Sequence, residues 1–147
     1  MLSPEEHYKS LISMYYAAPL NAFYNPVLKI SEGSATVSCL ITEKFHHSAG
    51  SMHGSVYFKL LDDAAFFAAN SVDFEHFVLT ADFRIDLLRP FITGTISATG
   101  TIVQAGRKDI LARSELFDEK GRLLATGIGR FSRSNWKLAE QNGYSLD

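Results

Sequence analysis

Residues 54–71 form a proline-free stretch rich in Ala, Leu and Phe, and its apolar side chains run nearly all the way round a helical projection. A helix of that kind must be buried on most sides. It is not a membrane span, because Lys59, Asp62 and Asp63 lie within it. The chain therefore has to wrap protein around one helix, and the flanking sequence offers strands to do so. Residues 27–31 and 35–41 read as a hairpin joined at Glu32-Gly33-Ser34. Residues 77–88 alternate, with Leu79, Ala81, Phe83, Ile85 and Leu87 on one face and Thr80, Asp82, Arg84 and Asp86 on the other, until Pro90 stops the strand. Residues 95–104, 109–117 and 122–132 give three more strands, separated by the turns Ala105-Gly106-Arg107 and Asp118-Glu119-Lys120-Gly121.

The order is hairpin, buried helix, four strands. It predicts an α+β fold in which an antiparallel sheet of about six strands wraps one long central helix. A short N-terminal helix over residues 4–16 precedes it, with Ser3 as cap, Pro4 at the first helical position and Glu6 completing a capping box. Residues 133–147 are polar and read as a loose tail. With no repeat or linker, residues 1–147 are expected to form a single domain with a core over about 24–132.

Composition narrows the function. Fourteen Lys and Arg against sixteen Asp and Glu give a net charge of -2, without a basic block to track a phosphate backbone, so no nucleic acid partner is expected. Cys39 is the only cysteine, which excludes an intrachain disulfide and a cysteine metal cluster. The N-terminus is acidic where a secretory signal is basic, so a cytoplasmic location is expected, with no membrane association.

The chemistry concentrates at the entry to the central helix. A polar loop ending His46-His47-Ser48-Ala49-Gly50-Ser51-Met52-His53-Gly54-Ser55 leads into it, and Asp62 sits inside among Leu60, Leu61, Ala64 and Ala65. A carboxylate in an apolar helix is unfavourable unless paired, hydrogen-bonded or needed. Asp63 can pair with Lys59, four residues earlier, whereas Asp62 has only the three-residue spacing to the same lysine. A satisfied ion pair and a catalytic carboxylate both remain open for Asp62 on these grounds. Gly54 opens the helix, where free N–H groups and the positive dipole end can polarise a carbonyl oxygen, and Asp62 two turns on can serve the same substrate as base or nucleophile. That combination suits acyl transfer.

His53-Gly54 followed by Asp62, nine residues after the histidine, resembles the H-G-G and helical Asp signature of the hotdog-fold acyl-CoA thioesterases related to the phenylacetate-pathway and human enzymes. The resemblance extends over residues 33–131, through the strand ending at Pro90 and the paired strands with the G-R and D-x-x-G turns. It implies the hotdog fold and hydrolysis of an acyl-CoA to free acid and CoA, without metal or other cofactor because CoA is part of the substrate. It implies Asp62 as nucleophile or general base, the Gly54 N–H as oxyanion donor, Thr80 as a water-orienting hydroxyl on the polar face of its strand, and His53 as a shaper of the oxyanion loop. Ser55, Gly50, Arg89, Gly106 and Arg107 are the expected substrate contacts, the turn Gly106-Arg107-Lys108 reaching CoA phosphates or else being a solvated hairpin tip, and Arg89 being open to the same two readings. A homo-oligomer is also implied, a dimer or tetramer with active sites between subunits.

Two positions depart from the family pattern. His47 stands where relatives carry Asn, six residues before His53, and is expected to take over its hydrogen bond to the substrate carbonyl; the alternative is a loop histidine beside the pocket. Ser55 replaces the second glycine. His46, His47 and His53 with Asp62 or Asp63 form a conceivable metal set, although their spacing is not that of a dedicated site. Phe58, Phe66 and Phe67 read as acyl-pocket lining or as core and subunit contact. Two other functions compete: a hotdog hydratase or dehydratase using His53 with Asp62, and a non-catalytic acyl-CoA binding module.

Overall fold

A computed structural model describes residues 1–147. The predicted central helix, α3 (Gly54–Asn70), touches all six strands of one antiparallel sheet. Those strands are β1 (Val27–Ser31), β2 (Ser34–Ile41), β3 (His76–Leu87), β4 (Gly94–Ala105), β5 (Asp109–Asp118) and β6 (Leu123–Lys137), in the spatial order β1-β2-β4-β5-β6-β3. Small side chains let the helix sink into the sheet. Ala64, Ala65, Ala68 and Ala69 are fully buried, and a Cβ on Gly100 of β4 would lie 2.2 Å from the Ala64 carbonyl oxygen. Ser114 of β5 adds a hydrogen bond from its hydroxyl to the Leu61 carbonyl at 2.8 Å. No helix is long and apolar enough to cross a membrane.

The N-terminal helix, α1 (Pro4–Ala17), carries the predicted capping box: Ser3 Oγ accepts from the Glu6 N–H and the Glu6 side chain reaches back to the Ser3 N–H. A second short helix, α2 (Pro19–Tyr24), was not expected. Pro19 terminates α1 but also occupies the first position of α2, where its missing N–H costs nothing.

Two expectations require correction. The tail over residues 133–147 is not loose, and the core does not stop near 132. β6 continues to Lys137, Leu138 is fully buried in a short 3-10 turn (Leu138–Glu140), and the Tyr144 hydroxyl meets Nδ1 of buried His7 at 2.6 Å. Isolated anchors in a polar segment leave no periodicity to read. The second correction concerns β3. A β-bulge between Thr80 and Asp82 breaks its register with β6, so the single alternation does not hold through the strand. Val78 and Thr80 face the helix, Leu79 and Ala81 turn outward, and the predicted inward set resumes only at Phe83 and Ile85. Thr80 therefore lies on the helix-facing side and not on the polar face.

Candidate active site

The loop before α3 is held by its own backbone. His46 and Met52 form an isolated bridge, the His47 N–H donates to the Ser51 carbonyl at 2.9 Å, and Gly50 turns the chain at φ 80°. Met52 N–H then donates to Phe91 O at 2.7 Å and His53 N–H to Phe45 O at 2.9 Å, so the end of the loop next to α3 is tied both to Phe91 and back to Phe45. His53 is the N-cap of α3: its Nδ1 accepts the Ser55 N–H at 3.0 Å and its carbonyl accepts the Val56 N–H at 3.0 Å. Gly54 N–H has no hydrogen-bond partner in the chain. Gly54 lines a cleft of about 310 Å³ together with His47, Ser51, Met52, Tyr57, Arg89 and neighbours.

Asp62 lies further along α3, flanked one turn away on each side by Phe58 and Phe66. It forms no ion pair. Its Oδ1 accepts a hydrogen bond from the Thr80 hydroxyl at 2.9 Å, and that contact exists because the bulge in β3 turns Thr80 inward. Burial pushes its carboxyl up to about 6, opposed by the Thr80 bond and by Lys59 and reinforced by neighbouring Asp63. Asp63 is placed differently. Lys59 Nζ stands 2.7 Å from its Oδ2 and the Tyr15 hydroxyl donates to the same oxygen at 2.6 Å, while Lys59 also donates to Asn21 Oδ1 at 2.6 Å. The Asp63–Lys59 reading is thus realised, and the ion-pair reading of Asp62 is not.

Phe58 meets Phe83 edge-on with centroids 5.5 Å apart, and Phe83 lies over Gly127 and Gly129, where a Cβ would approach its ring to 2.5 and 2.4 Å. Phe67 instead enters the core against Tyr15.

The remaining expected residues separate into those at the cleft and those elsewhere. His47, Gly54 and Arg89 line it together. Gly50 is exposed at the loop turn, and the His53 ring and Ser55 face a different pocket, with Phe45, Lys44 and His46. Gly106 and Arg107 sit at the other end of the sheet, where Arg133 Nη2 donates to the Gly106 carbonyl at 3.1 Å and Nη1 to Asp73 Oδ2 at 2.7 Å. Within one chain they do not reach the cleft. The three loop histidines also diverge: His46 Nε2 is 2.6 Å from Ile92 O, His47 bonds Ala49 and Ser51, and His53 bonds Ser55. No three His, Cys, Asp or Glu side chains converge where a metal ion could sit.

One distance changes the sequence reading. Eight residues of α-helix separate Gly54 from Asp62, a rise of about 12 Å. The oxyanion donor and the attacking group of one thioester carbonyl lie closer than that, so these two residues of one chain cannot serve the same carbonyl. Sequence reasoning also passed over Ser51 and Tyr57, both at the cleft; the only signal was a hydroxyl four residues after His47. A larger hollow of about 720 Å³ lies at the C-terminal end of α3, but its buried polar groups, such as Asp73 with Arg133 and His76, bond one another.

Known proteins resemble this chain in sequence and in fold. The family model described as the thioesterase superfamily matches residues 49–125, more than half of the chain. The chain is 27% identical over 108 residues to the acyl-coenzyme A thioesterase PaaI of Escherichia coli, covering 73% of this chain and 76% of that protein. It is 27% identical over 99 residues to the 1,4-dihydroxy-2-naphthoyl-CoA hydrolase of Listeria monocytogenes, covering 67% and 80%. The solved structure of E. coli PaaI superposes with a TM-score of 0.83 at 23% identity, over 91% of this chain and 97% of that one, which establishes a shared fold. The matched residues include the start of α3, Asp62 and Thr80, and the chain, which shares the hotdog fold of PaaI, belongs to the thioesterase superfamily.

Proposed function

We propose that two copies of this chain jointly hydrolyse an acyl-CoA thioester, Gly54 of one binding the carbonyl oxygen that Asp62 of the other attacks or supplies with water. The observation that carries this reading is the setting of Asp62: a largely buried carboxylate with no cation partner and one orienting hydroxyl, its pKa pushed up to about 6 by burial. Such a group is ionised at neutral pH yet basic enough to take a proton. The Thr80 hydroxyl occupies Oδ1, which leaves Oδ2 to accept from water or to form the bond to carbon.

In the hydrolytic step the Gly54 N–H and the helix dipole stabilise charge growing on the carbonyl oxygen. Water adds at carbon and gives a proton to Asp62; collapse of the intermediate breaks the carbon–sulfur bond, and that proton passes to the departing CoA thiolate. With Asp62 as nucleophile, its oxygen bonds to the carbonyl carbon and the carbon–sulfur bond breaks to release the CoA thiolate. Water then cleaves the resulting mixed anhydride to the free acid and the Asp62 carboxylate, the second proton of the water passing to the thiolate. Neither route calls for a metal or redox cofactor. The 12 Å rise along α3 is what requires a second copy. β3 offers a place for it, being an edge strand with exposed Leu79 and Leu87 beside half-exposed Phe58 of α3. Both named relatives act on CoA thioesters according to their names, which supports the substrate class. A hydratase is less well served, because the His53 ring turns to Ser55 and not toward Asp62.

Release of free CoA from a panel of acyl-CoAs tests the reaction. The parent should turn over at least one of them, and Asp62→Asn should lose about 10²–10⁴-fold in kcat. Parental activity in that variant would remove Asp62 from the chemistry. The shared site is tested with Gly54→Pro, which removes the N–H: proline suits the first helical position, and a Cβ there meets nothing closer than Leu87 Cδ1 at 3.7 Å. Mixing the two inactive variants under exchange should restore about a quarter of parental activity, since half the dimers carry one intact site. No recovery from mixed dimers would mean that the two residues do not meet across subunits.

A further inference from the structure

Gly54 supplies one donor to the cleft, and the cleft holds a second that neither its sequence nor its relatives' names assign. Resting on the hydrolytic reading above, we propose that the Ser51 hydroxyl is the side-chain donor to the thioester carbonyl oxygen, with His47 as the residue that positions it.

The argument starts from the His47 ring. Its Nδ1 accepts the Ala49 N–H at 3.0 Å, so in the neutral imidazole the proton lies on Nε2. Nε2 stands 3.0 Å from Ser51 Oγ, and its N–H points there. The one donor of His47 is therefore already used, which is at odds with the expectation that this ring bonds the substrate directly. The same contact leaves Ser51 as acceptor from His47 with its own O–H unused, for Ser51 Oγ makes no other hydrogen bond in the chain. A hydroxyl that accepts one hydrogen bond is a stronger donor of the next.

Geometry holds that hydroxyl in place. The Ser51 carbonyl accepts the His47 N–H at 2.9 Å, so backbone and side chain of the pair are linked twice, and the next residue, Met52, is anchored to Phe91. Ser51 is half-buried and lines the same cleft as Gly54, three residues before it. The other polar side chains of that lining are less suited. Tyr57 spends its hydroxyl proton on the Arg89 carbonyl at 2.8 Å, and His47 and Arg89 are exposed at the rim.

The experiment combines kinetics with a readout that does not need turnover. Ser51→Ala should lower kcat about a hundredfold with little change in KM, and Ser51→Thr, which keeps the hydroxyl, should restore most of it. His47→Ala should fall less than Ser51→Ala, since the hydroxyl remains but is no longer held. Arg89→Ala should change KM and not kcat. In parallel, the infrared carbonyl stretch of benzoyl-CoA, isotope-labelled at its carbonyl, is measured bound to Asp62→Asn with and without Ser51→Ala. Loss of the hydroxyl should move the stretch up toward its free value, with the melting temperature unchanged. A Ser51→Ala variant with parental kcat and an unshifted stretch overturns the proposal. So does a His47→Ala loss larger than that of Ser51→Ala, which would make the ring itself the donor. Should the parent hydrolyse no acyl-CoA while the stretch still depends on Ser51, the hydrolytic reading fails and the donor assignment stands; binding of no acyl-CoA in the panel, the benzoyl probe included, overturns both.

Discussion

The two ends of α3 treat their polar groups in opposite ways. At the C-terminal end, buried Asn70 donates to Asp73 O and His76 O and accepts from the Val78 N–H, its carbonyl meets His7 Nε2 at 2.9 Å, and Asp73 gathers two backbone N–H groups and Arg133. Burial lowers the His7 pKa, which keeps the ring neutral there. At the N-terminal end the Gly54 N–H is unpaired, and midway along the helix Asp62 has a single hydroxyl for company. A fold satisfies the polar groups it needs for stability. Those left incomplete mark where a substrate can supply the missing partner. Adjacent Asp62 and Asp63 repeat the contrast within one helical turn, one incomplete and the other enclosed by Lys59 and Tyr15.

The largest effect should come from the enclosed carboxylate. Asp63→Asn leaves Lys59 charged and nearly buried, with a side chain 12% exposed, and should cost about 3–5 kcal/mol in chemical denaturation while turnover per folded molecule stays within a few-fold of the parent. A stable Asp63→Asn protein that has lost turnover would reverse the roles of the two aspartates.

Asp62→Asn should instead gain stability. The folded-state pKa of Asp62 is raised from 3.8 to about 6, so folding favours its protonated form. Stability is highest below the unfolded value, declines as pH climbs from about 4 through 6, and is not recovered above. Asparagine removes that ionisation, and at pH 7 the variant should be more stable by on the order of 2–3 kcal/mol, an advantage that vanishes at pH 4. Equal pH dependence in parent and variant would show that Asp62 is not strained by burial.

At the satisfied end, Asp73→Asn should cost roughly 1.5–3 kcal/mol, because Arg133 loses its anionic partner, and should leave kcat unaltered. Hydrolysis that falls with this change would tie the two ends of the helix together functionally. The smallest effect is expected at Thr80. kcat/KM should rise with pH around 6 as Asp62 ionises, and Thr80→Val, which removes the hydrogen bond favouring the charged form, should move that rise to higher pH. An unmoved pH profile would assign Thr80 to packing alone.

Much of this could be anticipated from local pattern. The apolar residues of α3 demanded burial, the extended runs and the turns between them marked the strand limits apart from the extension of β6 to Lys137, and Asp62 drew attention as a charge in an apolar helix. Even the separation of Gly54 from Asp62 was available from helical rise, which keeps the two from acting on one carbonyl within one chain. Other features left no trace. Ala81 fits a regular strand as well as a bulge, and Leu138 and Tyr144 are single anchors among polar neighbours.

The division follows from the range of the forces involved. Helix burial, strand positions, capping at Ser3 and the chemical types available at the site depend on residues a few positions apart, and the sequence alone settled them. The inward turn of Thr80 depends on how β3 registers against β6, where Thr80 lies opposite Phe131, fifty-one positions away in the chain. The engagement of His47 with Ser51 likewise depends on a loop closed by Phe91 and Phe45. Register and loop closure are chosen by packing across the whole domain, so only the folded chain reveals that Asp62 has one hydroxyl partner and that the His47 proton is already committed.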